Sequence, residues 1–278
     1  MEVLPTPVTQ NLEFPVQMGF SQAGVLADNT RMAYWGDLRR YVDWGGSVPS
    51  ASKTVAAYLA AHAATHKYAT LVRWKVSIGK AHSNQGLDDP TKSDAVQSVL
   101  TGIRRSHGKE QRKVAPLVKE QVLAIVSSMG DRLKDKRDKA LILSGFAAGL
   151  RRSELTTLTV ADLRYIREGI EIHLPEGSAV LLHARGSVCA VRAMKEWLAA
   201  AEIEDGPIFQ GINRHGQRSG TPLTGHGIAL IVKERVQAIG LNPTQYSGFS
   251  LRTGLVASAV AAGIPFRMVN TAQGPGIL

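Results

Sequence analysis

Apolar residues recur at steps of three and four along most of this chain, in two blocks separated by a basic stretch. In the first block, NTRMAYWGDLRRYVDWG places Met32, Trp35, Leu38 and Val42 on one stripe, and Gly45-Gly46 stops it. SASKTVAAYLAAHAATH predicts a second helix with Val55, Leu59 and Ala63 inward. ATLVRWKVSIGKAHSNQG predicts a third, with Leu71, Trp74 and Ile78 inward and Arg73, Lys75 and Lys80 outward. KSDAVQSVLTGIRR predicts a fourth, with Val96, Val99, Leu100 and Ile103 inward. The expectation is a compact four-helix unit ending near Arg105.

The second block opens at Pro116. LVKEQVLAIVSSM is amphipathic, with Val118, Val122, Ile125, Val126 and Met129 on one face. KDKRDKALILSGFAAGL becomes wholly apolar and reads as a central helix, and SELTTLTVADL as a further helix or helical turn. The period then changes. GIEIHL and AVLLHA alternate, which predicts two short strands around a tight Pro175-Glu176-Gly177-Ser178 turn. Helical periodicity returns in SVCAVRAMKEWLAAA, TGHGIALIVKERVQAIG and SLRTGLVASAVAAG.

These patterns divide the chain into a loose arm (1–22, with three prolines), a helical unit (23–106), a basic linker (107–116) and a larger unit (117–278). A length of 278 residues already favours two domains. Sparse aromatics (6%) and abundant alanine fit a mostly α fold with α+β character in the second unit.

Charge adds a partner class. The formal net charge is +10, which favours a polyanion, most simply nucleic acid. A basic but otherwise ordinary enzyme, or a helical scaffold with incidental charge, remains open on this ground alone. The single cysteine, Cys189, excludes an internal disulfide and a cysteine-built zinc site, and it fits a reducing cytoplasm. No membrane span is expected, since the longest apolar run, around Leu255 to Pro265, is too short. The N-terminus has no secretory pattern.

GFAAGLRRSEL then poses a question of its own, because two adjacent arginines follow an apolar helix. A charge so placed must be paired, solvated or meant for a ligand. GLRRSELTTLTVADL and, further on, YSGFSLRTGLVASAVAAGIP resemble the two arginine boxes of the tyrosine site-specific recombinases, or phage integrases. NTRMAYWGDLRRYVDW, KYATLVRWKVSIGKAH and DDPTKSDAVQSVLTGIRR resemble that family's helical, SAM-like core-binding domain. The similarity spans residues from about 28 to 269.

The resemblance implies a C-shaped clamp on double-stranded DNA and metal-free, cofactor-free transesterification through a phosphotyrosine. Arg151 and Arg252 would take the two arginine roles, gripping the non-bridging oxygens of one phosphate. Glu154 matches the family's acid and would orient an arginine, with Arg152 an exposed neighbour. Thr70, Arg73, Lys75 and Lys80 would enter or flank the major groove. Arg104, Arg105, Lys109, Arg112 and Lys113 would touch phosphate. For any one of these cations, a solvated surface charge is the ordinary alternative.

The pattern is incomplete. Phe249 stands where the second box carries histidine, and a core role is expected for its ring. No lysine lies between Glu171 and Val191 to serve as the hairpin general acid, and Arg185 is a poor substitute. No tyrosine follows Tyr246, itself expected to be structural. The chain is therefore expected to be cut short of its catalytic end and defective in cleavage. The alternative is a non-enzymatic, site-specific DNA-binding or regulatory protein, acting on the sites of a full-length relative. A homo-tetramer is not expected, because the helix that family members exchange between subunits has no counterpart here.

Overall fold

The structure, a computed structural model, describes residues 28–108 and 114–265. Tertiary contacts divide the chain into two compact units, with the break after Arg112.

The first unit contains α1 (Asp28–Asp43), α2 (Ser52–Ala61), α3 (Tyr68–Ser83) and α4 (Asp94–His107). Ser93 starts α4 by accepting the Val96 N–H on its Oγ. The core is aromatic at its centre. Tyr58 stacks on Trp74 and meets Tyr41 edge-on, surrounded by Val55, Leu59, Leu71, Ile78, Val96, Leu100 and Ile103.

Helix α1 departs from the expected stripe. Met32 and Trp35 are 67% and 50% exposed, and the buried face is instead Asp37, Leu38 and Tyr41. Asp37 turns inward to α3, where Arg73 donates to it from Nε and Nη2 at 2.8 Å each and Ser77 Oγ donates at 3.0 Å. Helix α2 is also shorter than its pattern, and Ala63 lies in the turn that follows.

The second unit contains α5 (Lys119–Ser127), α6 (Leu133–Ala147), α7 (Arg152–Thr157), β1 (Leu163–Ile166), β2 (Gly169–His173), β3 (Ala179–His183), α8 (Ala190–Ala200), β4 (Gln210–Ile212), β5 (Arg218–Pro222), α9 (Gly225–Ala238) and α10 (Phe249–Ala261). Its architecture is the expected helical assembly with a small antiparallel sheet. Helix α6 is central, with Ala140 through Phe146 all buried, and it packs on α8 and α10. Helix α10 also abuts the segment before α5. Leu117 N–H donates to the Ser250 carbonyl at 2.9 Å, and a Cβ on Gly254 would lie 1.9 Å from the Leu117 carbonyl oxygen, so only glycine permits this approach.

A buried ion cluster joins α6 to α9. Asp138 accepts from Arg137 on one oxygen and from Arg235 on the other, and Arg235 also reaches Asp135 at 2.7 Å. Each charge is countered by another, which is what permits burial at this depth.

The sheet runs β1-β2-β3, with Ile170 opposite Leu182 and Ile172 opposite Val180. The β2–β3 turn lies where Pro175-Glu176-Gly177-Ser178 predicts it. Leu174 N–H bonds the Ser178 carbonyl at 2.8 Å, and Gly177 adopts φ of +80°. Three strands escape the sequence pattern. β1 has its two central residues exposed, and β4 and β5 form a separate hairpin in which β5 is exposed throughout. None presents the alternation that marks a half-buried strand. No helix among the described residues is long and apolar enough to cross a membrane.

Candidate functional site

The site forms where α6 ends. After Ala148 the chain must turn sharply to leave the core, and Gly149 does so at φ of +61°, a conformation that disfavours residues with a side chain. Leu150 is buried and anchors the turn, and Arg151 follows in extended conformation as the N-cap of α7. Glu154 sits three residues on. Its Oε2 accepts the Arg151 backbone N–H at 2.5 Å and its Oε1 accepts from Arg151 Nη1 at 2.6 Å. One buried carboxylate thus caps the helix and holds the guanidinium.

A cation at a helix N-terminus opposes the helix dipole, so Arg151 needs anionic company. A second carboxylate supplies it. Glu176, at the β2–β3 turn and 25 residues away, accepts from the same Nη1 at 2.6 Å. The hydrogen bond that Arg151 donates to Glu176, then the one it donates to Glu154, raises its pKa above its already high ordinary value. Arg151 is nonetheless half exposed.

Arg252 arrives from α10. Its Nη1 donates to the Gly149 carbonyl at 2.7 Å, across 103 residues of sequence. Gly145 of α6 has Leu251 against it, so close that a Cβ there would sit 2.8 Å from the leucine Cδ1. That close crossing carries Arg252 to the turn. The two arginine boxes therefore meet at one loop, residues 149–151. Arg152, beside them, is exposed, and its side chain runs over Gly225 and Gly248, where added Cβ atoms would meet its Nε at 2.9 Å and its Cδ at 3.3 Å.

Phe249 does not occupy the core. It is 57% exposed, in the first turn of α10 and one helical turn before Arg252. Leu251, Leu255 and Ala259 of α10 fill the interior instead. Tyr246 is buried, and its hydroxyl accepts from Gln121 at 3.3 Å. Arg185 is exposed.

Among the first unit's candidates, Lys80, Arg104 and Arg105 are exposed, and Thr70 and Lys75 are half-buried. Arg73 has half of its side chain exposed, yet two nitrogens of its fork are committed to Asp37. Lys109, Arg112 and Lys113 lie outside the described residues. The sequence gives no warning of Asp37 or Glu176. Both are acidic residues beside exposed-looking stretches, and only the fold pairs them with arginines. No group of three histidine, cysteine, aspartate or glutamate residues able to hold a metal occurs among the described residues.

Known proteins set this geometry in context. No protein-family model matches the chain. A curated relative from Selenomonas ruminantium, described as an integrase/recombinase xerD homolog, is 33% identical over 252 residues, covering 84% of this chain and 74% of the relative. The Tn1549 transposon integrase, solved with a circular intermediate DNA, superposes with a TM-score of 0.60 at 15% identity, covering 91% of this chain and 88% of that one. XerH recombinase, bound to its difH substrate, gives 0.58 at 19% identity over 88% of this chain and 72% of that one. Lambda integrase bound to DNA gives 0.58 at 13% identity, covering 90% and 85%. The structural likenesses speak for the fold, and the curated relative decides the lineage: the chain belongs to the tyrosine recombinase, or integrase, family.

Proposed function

We propose that this chain is a DNA-binding member of its family that grips a backbone phosphate at the 149–151 turn and does not cleave the strand by itself. The Arg252–Gly149 bond carries the reading, because it joins two guanidinium-bearing elements at one turn, from which Arg151 emerges exposed. Guanidinium forks match anionic phosphate oxygens, and two of them neutralise one phosphodiester. The formal net charge of +10 supplies the long-range attraction. The DNA held by the Tn1549, XerH and lambda relatives supports a duplex as the partner.

The site's own residues divide the work. Glu154 fixes Arg151, the Gly149 carbonyl fixes Arg252, and both guanidiniums face the phosphate oxygens. The groups for completing a strand transfer are lacking inside the site. Phe249 can neither donate nor accept a proton, and no lysine stands on the hairpin between Glu171 and Val191. A leaving 5′-oxygen therefore finds no general acid there, and electrostatic clamping alone does not make the covalent bond.

Two assays test this. Fluorescence anisotropy with duplex DNA should show binding that weakens steeply with salt. Incubation with a nicked suicide duplex should give no covalent protein–DNA adduct. No binding at low salt overturns the first half of the proposal, and an adduct overturns the second.

A further inference from the structure

We infer that Glu176 is an internal competitor for the phosphate seat on Arg151, occupying it in the free protein and leaving it when DNA arrives. This rests on the phosphate-binding reading above and concerns how that site is regulated.

Arg151 Nη1 meets two carboxylates at 2.6 Å each, and the two are not equivalent. Glu154 is buried, lies on the same helical turn and also bonds the Arg151 backbone N–H. It cannot leave without uncapping α7. Glu176 is exposed and sits at the β2–β3 turn, and Arg151 is its hydrogen-bond partner among the described residues. An ion pair this open to solvent is weak and exchanges readily.

A carboxylate oxygen and a phosphodiester oxygen are the same kind of ligand for a guanidinium, an anionic acceptor of a charge-assisted hydrogen bond. Glu176 thus stands where a phosphate oxygen would. Nη1 carries two N–H groups, and Glu154 and Glu176 already take both, so a phosphate oxygen can bond that nitrogen only in place of one of them. A DNA phosphate seated on Arg151 Nη1 therefore requires the Glu176 carboxylate to swing away. The Pro175-Glu176-Gly177-Ser178 turn, with Gly177 at φ of +80°, carries the side chain outside the sheet ladder, so it can move without breaking strand pairing. In the free protein the closed form lowers the apparent affinity by the fraction of molecules it occupies.

The test is anisotropy of the full chain with a short fluorescein-labelled duplex of mixed sequence at low salt. Glu176→Gln and Glu176→Ala should each tighten binding by about two- to fivefold, the range of an exposed ion pair. Glu168→Gln, which removes another exposed carboxylate of the same sheet, should leave binding within error. In an Arg151→Gln background, the Glu176→Gln gain should vanish. If Arg151→Gln and Arg252→Gln weaken binding while Glu176→Gln leaves it unchanged or weakens it, the competitor idea fails and the phosphate reading stands. If Glu168→Gln tightens binding as much as Glu176→Gln, net charge explains the gain and the competitor idea again fails. If Arg151→Gln and Arg252→Gln bind like the parent chain, the phosphate reading itself falls.

Discussion

Arg252 donates from Nη1 to the carbonyl oxygen of Gly149 at 2.7 Å, so the second arginine box is fastened to the backbone two residues before Arg151. The bond uses one arm of the guanidinium and leaves the planar head fixed in direction. Lysine offers the charge without the fork. Arg252→Ala should weaken duplex binding about tenfold or more and should reduce the slope of log affinity against log salt by about 0.9, as for one lost phosphate contact. Arg252→Lys should fall between the two. Anisotropy across a salt series reads both quantities, and an unchanged slope would mean that Arg252 touches no phosphate.

Phe249 offers a contrast with Phe146. The first is 57% exposed and the second fully buried, although both lie in helices of the same unit. Truncating a buried phenylalanine removes its packing and leaves a cavity, so Phe146→Ala should destabilise the protein by about 3–5 kcal/mol. Phe249→Ala removes little buried surface and should change stability by less than about 1 kcal/mol. Urea denaturation of both variants measures the difference. Comparable losses would place Phe249 in the core after all.

What the sequence revealed was whatever depends on local periodicity. Helices α3 to α6 and α8 to α10 follow their apolar spacing, and Leu71, Trp74 and Ile78 lie inward as that spacing requires. The β2–β3 turn follows from its proline and glycine. Long-range pairing was hidden. Asp37 looks like a surface acid until Arg73 of another helix closes on it, and the face of α1 that carries it is buried while Met32 and Trp35 are exposed. Within the site, the arginine boxes were readable as motifs, but Glu176 lies 25 residues from its partner. No local signal marks it, because a glutamate at a strand turn is ordinary surface chemistry. Phe249 misled for the opposite reason: hydrophobicity suggested burial, and the first turn of α10 opens to solvent.

Asp138 is the pivot of the buried cluster. It is fully buried and accepts from Arg137 and Arg235 on separate oxygens. Asp138→Asn keeps the shape but leaves two buried guanidiniums short of a counter-charge. Breaking one partner out of a buried pair is expected to cost about 3–5 kcal/mol, much of it the desolvation of what remains. A small shift in the denaturation midpoint would show that solvent reaches the cluster.

Arg73 faces two demands, since its fork holds Asp37 and half of its side chain is exposed. Asp37→Ala should destabilise the chain by about 1–3 kcal/mol, the range for losing hydrogen bonds to a buried charged acceptor. If Arg73 is only a staple for Asp37, then Arg73→Ala should match Asp37→Ala in stability and leave sequence preference among duplexes unchanged. If it also reads bases, Arg73→Ala should relax that preference while Asp37→Ala does not. Denaturation together with competition binding separates the two.

Asp135 makes the protein's stability depend on pH in a definite direction. Burial alone would push its carboxyl up, but hydrogen bonds from Arg132 and Arg235, with their charges, outweigh that and hold it below the ordinary carboxylate range. The unfolded chain titrates this group near ~3.9. Folding therefore favours the ionised form. Its stabilisation is fully present above the unfolded value and is lost as the pH falls through the lower folded one. Arg235 stays charged throughout, because Asp138 and Asp135 raise its pKa against the opposing effect of burial. Asp135→Asn should melt at a lower temperature than the parent chain at neutral pH. The gap should stay constant down to about pH 5 and narrow below about pH 4, where the carboxyl of the unfolded chain takes up a proton while the folded one is still ionised. Thermal melting of both chains across that range reads the gap directly. A gap that does not shrink in acid would mean that the Asp135 carboxylate is not held ionised by its two arginines.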